Sequence, residues 1–217
     1  MNPSSPIPAP LPTALEAAEI ARCVVADARA GRLASWGWST VVDEFVGEAV
    51  VPEGVVTALH RLAGLRARFP LGNAGLLHVY GYWFATRATP FGYKRDRWLD
   101  GRLARAFGLP DAAFIPGADP ATTPLQRVLE VALPLLADPR DALASADASV
   151  DGRLTRVVLA RDQGSAATAL VYGVDGGDGL RLVTTFPVDG DGDVGAVLDE
   201  FVAEPRLRWN AVAVAET

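Results

Sequence analysis

Apolar residues recur at helical spacing through the first two thirds of the chain and at alternate positions through the last third. From Thr13 to Ala30, Leu15, Ala18, Ala21, Val25 and Ala28 form one stripe, the periodicity of an amphipathic helix. Thr13 with Glu16 three residues on has the spacing of a capping box. A second helix is predicted from Glu53 to Phe69, with Val56, Leu59, Leu62 (or Ala63) and Arg66 recurring before Pro70-Leu71-Gly72-Asn73 stops it. A third is predicted from a Thr123 cap through Leu136, with Pro134 ending or kinking it.

From Arg153 onward the pattern changes to strands. Leu154–Ala160, Ala167–Val174 and Leu180–Val188 are predicted strands. The turns between them contain Asp162-Gln163-Gly164 and Asp175-Gly176-Gly177-Asp178-Gly179. A short helix from Val194 to Ala203 and a last strand from Arg206 to Val214 follow. The fold class expected is α+β: a helix-rich N-terminal half and a C-terminal antiparallel sheet with packed helices. Proline at positions 3, 6, 8, 10 and 12 makes residues 1–12 an expected disordered lead-in to a single domain over 13–217. The polar, small-residue stretch 138–152 is the best candidate for an internal sub-lobe boundary.

One stretch stands apart. Residues 76–98, LLHVYGYWFATRATPFGYKRDRW, hold one of two histidines, three of four tyrosines and two of five tryptophans. Read as a strand, they put His78, Tyr80, Tyr82, Phe84 and Thr86 on one face. Thr89-Pro90-Phe91-Gly92 then turns the chain. A helix follows from Lys94 to Phe107, stopped by Gly108 and Pro110. Between Lys94 and Arg105 five positive side chains meet two negative ones, a basic patch in an acidic protein.

The net charge of −6 gives no global attraction to nucleic acid or anionic membranes. No apolar run approaches the ~20 residues that span a bilayer, and the first residues lack a signal-peptide pattern. One cysteine, Cys23, permits no internal disulfide. It reads as a packed thiol, and the simplest compartment is the cytoplasm. Self-association into a homo-oligomer stays open.

Most motif templates are missing: there is no G-x-S-x-G, P-loop, G-x-G-x-x-G after a strand, or C-x-x-C. The histidines lack metal-ligand spacing, and His60 reads as a surface or boundary residue. Asp189, Asp191 and Asp193, with Glu200 at the twelfth position, imitate a calcium loop. Val194 replaces the required glycine, however, and a strand leads in. No metal or cofactor is therefore expected. Asp43 and Glu44 read as a solvated edge.

What remains is a constellation. His78 offers proton transfer. Tyr80 and Tyr82 offer hydroxyl donors. Lys94, Arg95 and Arg97 offer a grip on an anion. Trp36 and Trp38 could wall a pocket, and Arg208 and Asn210 could reach it from the last strand. The set predicts a metal-independent hydrolase or lyase acting on a small, carboxylate-bearing, anionic metabolite. One alternative is a non-catalytic interaction module using the aromatic strand 78–86. Another is an RNA-binding or ribonuclease-like protein, which the net charge opposes.

Overall fold

The computed structural model describes residues 11–188, 194–207 and 210–212. The fold is α+β: helices dominate the N-terminal half and a four-stranded antiparallel sheet the C-terminal half. Helix α1, Ala14–Arg29, starts on the expected capping box, with the Thr13 hydroxyl and the Glu16 carboxylate each accepting the other residue's backbone N–H.

Helix α2 is shorter than expected and covers Glu53–Leu62. Gly64, at φ +71°, takes the left-handed conformation. The amides of Gly64 and Leu65 then return to the carbonyls of Arg61 and His60, a glycine-dependent helix stop. The helix expected over 94–107 is two short ones, α3 Asp96–Leu99 and α4 Arg102–Ala106. Gly101, at φ +71°, breaks it in the middle. Helix α5 runs Pro124–Ala137 on its Thr123 cap and continues past Pro134 for one more turn.

Strands β1, Trp38–Thr40, and β2, Leu71–Asn73, form a small antiparallel pair. Strands β3 Ala144–Val150, β4 Arg153–Ala160, β5 Thr168–Asp175 and β6 Leu180–Val188 form a meander in chain order. Most of 138–152, expected as a boundary, is therefore β3 and its lead-in. Gly37 donates its N–H to the Leu182 carbonyl at 2.8 Å, and Trp36 bridges Leu182. That contact joins the N-terminal half to the free edge of β6. Helix α6, Val194–Ala203, anchors on the sheet through Phe201, which is fully buried and meets Tyr172 edge-to-face at 6.2 Å. Of the expected last strand, 208–209 and 213–214 lie outside the described residues; among the rest, Ala211 forms a single bridge to Ser39.

The aromatic stretch corrects the strand reading. Leu76–Tyr80 is one turn of π-helix and Gly81–Phe84 one of 3-10 helix. The Asn73 side-chain oxygen accepts from the amides of Gly75 and Leu76 and starts the segment. Residues 76 through 83 are all buried. Alternation of residue types therefore says nothing here, since no face of the segment meets solvent. The expected aromatic docking strand over 78–86 is absent: 76–84 is helical, and His78, Tyr80 and Tyr82 are buried.

Candidate functional site

Helical geometry decides which of the candidate residues meet. In a helix, residues four apart share a face and residues two apart do not. His78 and Tyr82 stack with ring centroids 4.9 Å apart. Tyr80 points the other way: its hydroxyl donates to Asp27 at 2.5 Å. It belongs to a buried clamp in which the Asp27 carboxylate also accepts from Thr123 at 2.6 Å and pairs with Arg32 at 3.0 Å. Burial and the Asp27 charge hold the Tyr80 phenol well above its ordinary pKa. Tyr80 is thus a structural residue, and its place among the site residues is corrected.

His78 and Tyr82 face a cavity of about 400 Å³, within the range of small-molecule pockets. The segment after β1 supplies Asp43, Glu44 and Phe45. The turn after the helical segment and the helices beyond it supply Phe91, Lys94, Arg97 and Arg102. The sheet gives Leu170, Thr184 and Phe186, α6 gives Val197 and Glu200, and Asn210 closes the set.

Burial orders these residues by depth. His78, Tyr82, Asp43, Lys94 and Thr184 are buried and form the floor. Lys94 Nζ pairs with Asp43 Oδ2 at 2.7 Å and lies 5.1 Å over the Tyr82 ring. Both reach the floor because the chain turns sharply on each side. The Asp43 carboxylate accepts the amides of Phe45 and Val46, and the Thr89 hydroxyl pins the turn at Gly92. Burial alone would raise the Asp43 pKa, but the bond and charge of Lys94 and the two amides outweigh it and lower it. The solvated reading of Asp43 is thereby corrected. Arg97 sits 5.1 Å over the Phe186 ring. Phe45 and Phe91 meet edge-to-face at 5.3 Å and are 60% and 59% exposed, so they form the rim. Glu44 and Glu200 are exposed at that rim.

His78 is 2% exposed. Its Nε2 lies 2.8 Å from the Ser39 hydroxyl. Its Nδ1 is buried without a hydrogen bond of good geometry. Burial first, and then the charges of Lys94 and Arg97, push its pKa down to about 3; the Val183 backbone opposes them without offsetting them. The ring is neutral at physiological pH. A base works best with a pKa near the operating pH, so this imidazole suits hydrogen bonding better than proton transfer.

Of the expected substrate-binding residues, Lys94, Arg97 and Asn210 line the cavity. Trp36 is in the core at 1% exposure, and Trp38, half-buried, pairs opposite Asn73 in β1. Neither lines the cavity, because both are consumed in joining β1 to its neighbours. Arg95 lies at the start of α3 and does not line the cavity; its charge adds only slightly to the lowering of the Glu16 pKa that the Thr13 hydrogen bonds cause. Arg208 lies outside the described residues, as do 189–193 of the imitation calcium loop. Among the described residues no cluster of potential metal ligands occurs, and no helix is long and apolar enough to cross a membrane.

The sequence reading missed Ser39, Thr184, Phe186, Phe45 and Phe91 as site residues. Only the Phe91 turn carried a local signal. His60, expected near the surface, is 1% exposed. Its Nδ1–H donates to the Val56 carbonyl at 2.8 Å and its Nε2 accepts the Asn73 amide at 2.9 Å. Burial lowers its pKa, and both nitrogens are committed to the fold. Comparison with protein-family models, curated proteins and solved structures finds no match.

Proposed function

We propose that the cavity binds a small amphiphilic carboxylate. The anionic head lies at the floor near Lys94 and Arg97, and the apolar body lies against Phe186, Leu170 and the rim pair Phe45 and Phe91. The observation that carries this reading is the gradient from floor to rim. The charges that act on His78 are cationic, the buried Lys94 and the half-buried Arg97; the buried carboxylate Asp43 is already paired with Lys94, and the exposed carboxylates Glu44 and Glu200 stand at the mouth. The Lys94 charge is already balanced by Asp43, so with Arg97 the inner part of the cavity carries a net charge of about +1, which suits a single negative charge better than a phosphate dianion. The aromatic rim supplies apolar area.

Binding is favoured over hydrolase or lyase chemistry for two reasons. His78 is held neutral and is a weak base. Ser39, the one hydroxyl bonded to it, is fully buried and does not line the cavity. Matched acid and amide pairs, such as 3-phenylpropanoate against 3-phenylpropanamide and hexanoate against hexanamide, test the reading in a thermal-shift assay. An acid at a hundredfold excess over its Kd adds about 2.7 kcal/mol, which raises Tm by roughly 5–10 °C in a chain of this size. The amides should give far less. Equal shifts for acids and amides, or none for any acid, would overturn the proposal.

A further inference from the structure

The floor of the cavity is tied to a segment far along the chain. Ser39 and Asn210 are 171 positions apart, and the Ser39 Oγ lies 2.7 Å from the Asn210 carbonyl oxygen. The same Oγ lies 2.8 Å from His78 Nε2. A hydroxyl has one proton, and a carbonyl oxygen can only accept. If Ser39 gives its proton to Asn210, its oxygen must accept from an N–H on His78 Nε2. The Asn210 side chain acts on the second ring of the floor: its Nδ2 donates to the Tyr82 hydroxyl at 3.3 Å and to the Thr40 carbonyl at 3.2 Å. Main-chain bonds hold the segment against β1, Thr40 N–H to Asn210 O at 2.9 Å and Val212 N–H to Trp38 O at 3.2 Å. Asn210 sits at φ +67°, a left-handed conformation that asparagine tolerates better than most residues.

We infer that Asn210 is the positioning residue of the cavity floor, fixing His78 as the Nε2–H tautomer through Ser39 and orienting Tyr82 through its own amide. The inference rests on the cavity being the binding site, which it deepens: the floor has its working form only while the 210–212 segment is docked on β1. Ligand binding and docking of that segment are then linked, because each favours the same arrangement of the His78 and Tyr82 rings.

The test needs no ligand at first. In the full-length protein at neutral pH, ring nitrogen shifts of His78 should report a protonated Nε2 and a bare Nδ1. Ser39→Ala removes the relay and leaves the Val183 backbone, which favours a ring N–H, as the remaining partner of the ring, so the proton should move toward Nδ1. Asn210→Gly keeps the carbonyl and tolerates the positive φ, so it should leave the tautomer unchanged while freeing the Tyr82 hydroxyl. A wild-type spectrum already showing Nδ1–H, or no change in Ser39→Ala, overturns the inference. Hydrogen exchange of the Thr40 and Val212 amides, with and without saturating 3-phenylpropanoate, separates this outcome from the binding proposal. Slower exchange with ligand supports the linkage. Binding that leaves exchange unchanged overturns the linkage and leaves the binding site standing.

Discussion

Lys94→Met is the most informative single change. The side chains of Lys94 and Asp43 are 7% and 3% exposed, and their charged atoms are 2.7 Å apart. Removing the ammonium leaves a carboxylate in the floor with only the Phe45 and Val46 amides at 3.0 and 3.2 Å. Breaking a buried ion pair at one partner costs roughly 3–5 kcal/mol. The two remaining amide bonds place this case at the low end, about 3 kcal/mol, which lowers Tm by roughly 6–12 °C in a chain of this length. Lys94→Met/Asp43→Leu removes the stranded charge as well and should recover much of the loss, because apolar replacements of buried pairs are often near neutral. The coupling from the double-mutant cycle should be about 2 kcal/mol. The assay is urea unfolding of the four proteins at pH 7. The Asp43 pKa is depressed in the fold, so its contribution is fully present above the unfolded value of about 3.9 and is lost as pH falls through the folded value. The cycle is therefore read at neutral pH, where both charges exist. A Lys94→Met loss below about 1 kcal/mol, the range of hydrated surface pairs, would refute the buried floor.

Three further outcomes follow from the buried groups of the fold. Stability should fall as pH drops from about 6.5 toward 3, since the unfolded state takes up a proton there that the buried His78 refuses; the slope approaches about 1.4 kcal/mol per pH unit for this one group, and His78→Gln should reduce it in acid titrations of urea midpoints. Asp27→Ala should lower stability by roughly 3–5 kcal/mol, because Tyr80, Thr123 and Arg32 lose their shared acceptor, whereas Tyr80→Phe should cost about 1–2 kcal/mol; equal effects in chemical denaturation would contradict the clamp. Burial pushes the Cys23 thiol up to about 11, so iodoacetamide at pH 7.5 should label it far more slowly in the native protein than in urea, and equal rates by mass spectrometry would show the thiol to be accessible.

Local signals were legible wherever one short stretch decides its own conformation. Thr13 and Glu16 announce α1, and the glycine-rich turns separate β4, β5 and β6. The 76–84 segment was not legible, because a run buried on every side gives no contrast between faces. Its start is signalled by Asn73, a side chain that caps the segment and was read only as part of a turn. The site was half legible for the same reason. His78, Tyr82, Lys94, Arg97 and Asn210 were named from their chemistry and do converge. Tyr80 was named with them by strand alternation, and helical spacing sends it to Asp27 instead. Ser39 reaches His78, and Thr184 and Phe186 reach the cavity, where Gly37, just before β1, pairs with Leu182 of β6. That is long-range pairing, which no local pattern encodes.

A crystal structure after soaking with 3-phenylpropanoate tests the central claim most directly. The account predicts density in the cavity, with the carboxylate within hydrogen-bond reach of Lys94 or Arg97 and the phenyl ring against Phe45, Phe91 or Phe186. An empty cavity at a concentration that raises Tm, or a ligand seated with its carboxylate at the Glu44 and Glu200 rim, would contradict it.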